Sequence, residues 1–356
     1  SDGPVVVEVP PGTGPGTVND AFFRFVVDMG GPGPDKGKGG KYLILGPGHT
    51  PPANTDGYFI ATTPSKINWL ILRGFLDDQG KPDTAKTAFK NGLKVYPFAQ
   101  SSNPPANTFT NLTGSDVNTI HANNFKFYEE LDEVIQREPS EMFSPELLGM
   151  ASAIGIQKGK PFNPTREQKA LLTEAVAIGN ATARSILFAP QDPKAYIYPG
   201  KAGYWQTGFP GGNHTYLVDG GNGGRDMDGR TLFFYLATVN TPAMVLELPG
   251  VGSQYAFSSR DGSGAYLDGS KTYKLNIPAN PPAQRFWSFV VYDPQTRSML
   301  QSKEMPYPSK NNKRNPEMAK NADGSIDLYF GPEAPAGKEA NWVKTVPGKG
   351  WFGIFR

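Results

Sequence analysis

Few side chains in this chain could do acid–base chemistry: it has no cysteine and only three histidines, His49, His121 and His214. His121 stands out, because NTIHANNFKFYEEL sets Asn118, Asn123 and Asn124 around it and Tyr128, Glu129 and Glu130 one to two helical turns beyond. A histidine at a helix start with carboxylates in reach suits a general base or one metal ligand. The structural alternative is that His121 and the asparagines cap the helix and satisfy loop backbone groups. Arg73 is a second candidate, a charge inside the apolar stretch 69–75, where a buried guanidinium needs a carboxylate or an anionic ligand beside it. His121, Arg73 and Glu129 would carry a hydrolase-like reaction if they faced one cavity.

Metal chemistry has little to build on. There is no HExxH and no His-x-His, and without thiolates a zinc site would need ligands gathered from distant segments. GGRDMDG, residues 223–229, presents Asp226 and Asp228, but the EF-hand register puts Gly224 where the first Asp belongs and Tyr235 where the bidentate Glu belongs. A calcium site of another kind stays open for the two aspartates, against capping of a helix and pairing with Arg225 or Arg230. No other cofactor is expected. The serines around residues 252–264 lack the spacing of a nucleophile elbow. The loop GGPGPDKGKGGK, residues 30–41, lacks the Ser or Thr that follows the lysine of a phosphate loop, and reads as an exposed hairpin loop. For binding, Tyr204, Trp205, Tyr255 and Trp342 in aromatic loops could stack on sugar rings, though aromatics in β proteins more often fill the core.

The elements that must hold these residues are mostly strands. Gly (42) and Pro (34) are both abundant and aromatics make up 12%, a mixture that favours short aromatic-rich strands separated by many turns. KTYKLNIPANPPAQRFWSFVVY, residues 271–292, reads as two strands joined by a proline-rich turn, the first alternating with one wet face, the second apolar enough for burial on both faces. Strands are expected at 5–9, 22–27, 42–45, 58–61, 69–75 and 351–355, with turns at Asp261-Gly262, Asp268-Gly269 and Asp323-Gly324. Between them lies a helical stretch. Phe127, Leu131, Val134 and Ile135 recur on one helix face that Pro139 closes; Ser144-Pro145 opens a second helix; Thr165 and Gln168 form a capping box for a third, ended before Pro190. Residues 225–239 read as a further helix opened by Asp226 or Asp228.

Several stretches together resemble a known pair of domains: GPDKGKGGKYLIL, LRGFLDD, NTIHANNFKFYEEL, IGIQKGKPFNP, GNATAR, DGRTLFFYLATVNTPAM, FWSFVVYDPQTRSMLQ and DLYFGPEAPAGKEANWVKTVPGKGW. They resemble the bacterial and algal proteins that carry the domain of unknown function DUF1254 followed by DUF1214. The resemblance implies two β-sandwich or jelly-roll-like domains joined by helices, frequent export and oligomerisation, and no established reaction. Members are usually longer at both ends, so the chain resembles one without its leader, part of the first domain and a C-terminal tail.

The expectation is therefore a mainly β protein: a first β domain over 1–115, a helical connecting segment over 116–200 and a C-terminal β-sandwich over 201–356. A net charge of +2 gives no bulk field for nucleic acid, and no apolar run is long enough for a membrane span. Sequons at Asn111, Asn180 and Asn213 would matter only in a eukaryotic secretory setting. The expected role is that of an exported (periplasmic, cell-surface or extracellular) binding or assembly module, acting on its own copies as a homo-oligomer or on a glycan or other polymer. The alternative is the hydrolase-like enzyme with a pocket at His121 and Arg73.

Overall fold

β1 (Val5–Val9) is the strand around which the first sheet forms, and its run VVVEV is nearly continuous in apolar residues because both faces are covered. In the computed structural model, which describes residues 3–115, 120–245, 253–284 and 286–356 (the side chains of Pro199, Lys201 and Ala202 excepted), Val7 and Val9 pack with Val18, Met29, Tyr42 and Ile44. Val6 packs the other way, with Leu43, Leu45 and Tyr96. Each such burial contributes about 1.5–3 kcal/mol. Asn118 lies outside the described residues.

The chain divides into two compact units, Ser1–Ala181 with Thr238–Ala243, and Thr182–Ala237 with Met244–Arg356. In the first, β1 is followed by β2 (Gly16–Asn19), β3 (Phe25–Met29), β4 (Gly40–Leu45), β5 (Tyr58–Thr62), β6 (Trp69–Ile71), α1 (Asp83–Gly92) and β7 (Lys94–Pro97). They make two sheets, ordered β5-β4-β1-β7 and β3-β2-β6. The helices α2 (Lys126–Arg137), α3 (Pro145–Ala153) and α4 (Arg166–Phe188) follow. Their starts are written in the sequence: Ser144 Oγ accepts from Leu147 N at 3.2 Å, and Thr165 and Gln168 exchange the two bonds of a capping box at 2.9 and 3.2 Å. Lys158 Nζ closes α2, donating to the carbonyls of Ile135, Gln136 and Glu138.

The second unit holds the end of α4, α5 (Met227–Leu236), part of α6 (Pro242–Val245), and the strands β8 (Ala256–Ser258), β9 (Tyr273–Ile277), β10 (Ser288–Tyr292), β11 (Ser309–Asn311), β12 (Ile326–Gly331), β13 (Trp342–Lys344) and β14 (Phe352–Phe355). Two sheets result, β11-β10-β14-β8 and β13-β12-β9. Trp287, Phe289, Val291, Leu328, Phe330 and Trp351 form the centre of the largest core cluster. The protein is thus mainly β, with fourteen strands in four sheets among the described residues.

Three local expectations change. β9 and β10 are not a hairpin: β9 pairs with β12 and β10 with β11 and β14, so the proline-rich connection carries the chain from one sheet to another. β10 alternates, with Phe289 and Val291 buried and its other residues half-buried, because only one of its faces meets the main cluster. The strand expected over 69–75 ends at Ile71; beyond it Gly74 lies close against Ala85 of α1, where a Cβ would come within 2.4 Å of the alanine's own. Arg73 is consequently exposed, its Nη1 reaching Pro15 O at 3.5 Å, rather than buried beside a carboxylate.

Candidate functional site

The second unit gathers tyrosines around one arginine. Residues 195–197 and 205–207 run antiparallel, joined by Ile197 N to Trp205 O (2.9 Å) and Thr207 N to Ala195 O (2.9 Å), and Gln206 exchanges two backbone bonds with Phe257 of β8. Gly203 and Tyr204 lie consecutively in the left-handed region (φ 61° and 50°) to make the reversal, and a Cβ on Gly203 would meet the Trp205 ring at 2.8 Å. After β8 the chain turns through the Asp-Gly loop at 261–262. Asp261 Oδ1 accepts from Ser263 N, Ser263 Oγ and Ala265 N, and Arg260 is bridged to Tyr266.

These two turns place Arg260 over two rings. Its guanidinium carbon lies 4.1 Å from the centre of Tyr266 and 5.6 Å from that of Tyr204. Nη2 donates to the Tyr266 hydroxyl at 2.7 Å and Nη1 to Gly264 O at 2.9 Å. The Tyr204 hydroxyl fits where Gly264 has no side chain; a Cβ there would approach it to 2.4 Å. Tyr196 belongs to the same group: burial raises the pKa of its phenol, Arg260 pulls it down, and Tyr266 and Tyr204 add to the rise. Tyr266 is 54% exposed. A flat ring held by a stacked guanidinium and open to solvent can receive the apolar face of a sugar, while the Arg260 donors serve its hydroxyls.

The other aromatic candidates have different placements. Trp205 is half-buried and packs against the main core. Trp342 is held by its Nε1 donating to Gly331 O at 3.0 Å. Tyr255 is exposed, with the Arg356 guanidinium 5.5 Å from its ring. Arg260, Tyr266 and Tyr196 were missed by sequence reasoning, although the Asp261-Gly262 turn that carries two of them was legible.

His121 and Glu129 are exposed. His121 meets the edge of Phe127, with ring centres 6.2 Å apart, and Glu130 rather than Glu129 turns back to accept from Ala122 N. Asp226 caps α5 through Oδ1 accepting from Gly229 N at 2.8 Å. Asp228 lies in the first turn of α5 and, with Asp192, lines a shallow cavity of about 90 Å³. No group of three histidine or acidic side chains fit to hold a metal forms among the described residues.

None of the buried carboxyl groups of the first unit, Asp20, Asp28, Asp35 and Glu138, was singled out in the sequence. Asp35 accepts from Tyr42 Oη and from Gly39 N, so the glycine-rich loop of residues 30–41 is organised around a side chain of its own, and Lys36 and Lys38 are exposed. Asp28 is 8% exposed and its Oδ1 has no hydrogen-bond partner. Burial pushes its pKa up to about 6 against the opposing effect of the Thr17 and Thr241 hydroxyls.

Comparison with known proteins places these units in a family. Residues 1–97 match the protein of unknown function DUF1254, and residues 252–356 match the protein of unknown function DUF1214. No curated protein matches the chain. Among solved structures, the VPA0106 protein from Vibrio parahaemolyticus is similar over 99% of this chain and 80% of its own, with 18% identity and a TM-score of 0.50, a likeness of fold alone. An uncharacterized protein from Burkholderia cenocepacia aligns over 99% of this chain and 69% of its own at 12% identity and a TM-score of 0.38. The chain thus belongs to the proteins that pair a DUF1254 region with a DUF1214 region.

Proposed function

We propose that the protein works outside the cytoplasm as a binding or surface-assembly module, as a homo-oligomer, and that the face formed by Tyr204, Arg260 and Tyr266 is where it meets a glycan. One observation supports this reading above the others: an arginine that lies over the rings of two tyrosines, with Tyr266 more than half exposed. A pyranose face matches both the exposed ring and the donors of the guanidinium. The hydrolase reading would require His121, Arg73 and Glu129 to converge in a concave site, and all three are exposed.

The test is a titration of neutral and acidic polysaccharides against the wild type and Tyr266→Ala, followed by calorimetry, with light scattering on each free protein. Saturable binding to a polysaccharide that weakens roughly tenfold or more in Tyr266→Ala is the expected result. The variant should stay folded, with the light scattering of the wild type, since more than half of Tyr266 is exposed. Binding unchanged in the variant would move the site elsewhere, and no binding to any polymer by a defined oligomer would leave assembly as the role.

A further inference from the structure

We infer that the face formed by Tyr204, Arg260 and Tyr266 selects acidic glycans, with Arg260 and the Tyr266 hydroxyl receiving an oxyanion of the sugar, the carboxylate of a uronate or a sulfate ester. The inference rests on the glycan reading above and names the class of sugar that the face takes.

The charge of Arg260 is its first ground. Among the described residues the guanidinium makes no ion pair; it meets the rings of Tyr204 and Tyr266, the Tyr266 hydroxyl and the Gly264 carbonyl, and it acts through its charge on the Tyr196 phenol. Asp261, the acid next to it in the chain, turns into its own loop, where Oδ1 accepts from Ser263 N, Ser263 Oγ and Ala265 N at 2.9, 2.6 and 3.1 Å. Arg260 is half-buried, so water screens its charge less than it would at a fully solvated site, and an anion is drawn to it more strongly.

The second ground is where the donors point. A guanidinium carries five N–H groups, and two are engaged here, from Nη1 to Gly264 O and from Nη2 to Tyr266 Oη. Because Tyr266 Oη accepts from Nη2, its own proton is left to donate, and the two groups, 2.7 Å apart, serve the same edge of the ring. That edge is open to solvent: Tyr266 is 54% exposed, and a Cβ on Gly262, in the same turn, would meet nothing within 4 Å. Tyr204 is held in the left-handed region at φ 50°, where glycine is the default, and a side chain kept there against its backbone preference points to a use for it. Arg260 covers one face of Tyr266, which leaves a pyranose the other face and its acidic substituent the hydroxyl edge. Neutral sugars offer hydroxyls that both donate and accept, whereas carboxylate and sulfate only accept, and a fixed cation beside a hydroxyl donor suits the second kind. Hydrogen bonds from a guanidinium to such an anion are roughly twice as strong as neutral ones.

Calorimetry with matched pairs of polymers, at an ionic strength held constant with sodium chloride, tests the inference: polygalacturonate against its methyl ester, and carrageenan against agarose. One acidic member should bind roughly tenfold or more tightly than its neutral counterpart, and the pair that shows the gap tells carboxylate from sulfate. The gap should close in Arg260→Gln. Tyr266→Phe keeps the ring and loses the hydroxyl, so it should weaken binding of the acidic member by roughly threefold or more and leave the neutral one unchanged. Lys81→Gln, which removes an exposed charge of the first unit, should keep the gap. Equal binding of acidic and neutral members, lost together in Tyr266→Ala, would overturn the inference and leave the glycan reading standing. A gap that survives in both Arg260→Gln and Tyr266→Phe, or that shrinks as much in Lys81→Gln, would overturn it in favour of a general attraction for polyanions. Failure of every polymer to bind would overturn both readings.

Discussion

Asp28 is a buried carboxyl group of the first unit whose charge is disfavoured by desolvation. Its folded-state pKa of about 6 lies above the ordinary 3.8, so the folded protein holds a proton there that the unfolded chain releases. The sign follows: with a raised acid pKa, the folded state binds more protons between those two values, and stability falls as pH rises from about 4 to about 6. Above that window the full cost of the buried charge is present, about 3 kcal/mol for the gap from 3.8 to about 6. Asp28→Asn should therefore stabilise the protein at pH 7.5 by about 1–3 kcal/mol, less than the full cost because the amide must still find partners. Urea unfolding of both proteins across pH 4–8 checks this: the difference should shrink toward the acid end, and a constant difference would mean that Asp28 does not titrate there. Nothing in the sequence around Asp28 announces such a group, since it reads as an ordinary polar residue beside the strand 22–27. The hydroxyls that oppose its burial belong to Thr17 and Thr241, and Thr241 is far away in the chain. Arg73 shows the converse: its apolar neighbours suggested burial, but the strand stops two residues earlier.

At the level of elements, what was legible were the features that neighbouring residues decide among themselves. The caps at Ser144, Thr165 and Asp226 and the apolar face of α2 all depend on contacts within a few residues, and each is found where the sequence puts it. α1 was not legible, because DTAKTAFKNG buries none of its residues and Phe89 is its one large apolar side chain. Nor was the separation of β9 from β10, which is settled by partners as distant as β12 and β14. Asp226 gives the clearest test of a local cap. It is the N-cap of a helix that buries Leu232, Phe233 and Tyr235, and removing its carboxylate leaves Gly229 N without that acceptor. Asp226→Ala should cost about 1 kcal/mol, within a 0.5–2 kcal/mol range for such caps. Asp226→Asn, which keeps an oxygen acceptor, should recover most of it. The two variants also bear on calcium: if adding calcium raises the melting temperature of the wild type and of neither variant, Asp226 is a ligand as well as a cap, whereas no calcium response in any of the three leaves it a cap alone.

At the scale of the whole molecule, the chain returns to its first unit after building part of the second, and the Asn19 side chain helps to fasten that return. Asn19 of β2 is fully buried; its Nδ2 donates to Asn240 O at 2.8 Å and its Oδ1 accepts from Asn240 N at 3.0 Å, across a separation of 221 residues. Thr241, the next residue, acts on the Asp28 carboxyl of β3, so the returning segment Thr238–Ala243 completes the polar surroundings of both strands. No periodicity or local motif could reveal a pairing at this distance, and folding of the first unit must wait for a long loop to close. Because both bonds use the backbone of Asn240, the side chains make unequal contributions. Asn19→Ala leaves a buried N–H and a buried C=O without these partners, at about 1–3 kcal/mol each, so a loss of roughly 2–6 kcal/mol is expected. Asn240→Ala keeps both bonds and should lose less. Hydrogen exchange adds the location: protection should fall in residues 16–29 and 238–243 of Asn19→Ala, while β9 to β14 keep the rates of the wild type. Equal losses in the two variants would mean that the segment is held by side-chain packing of Asn240, and that the two backbone bonds are not what closes the first unit.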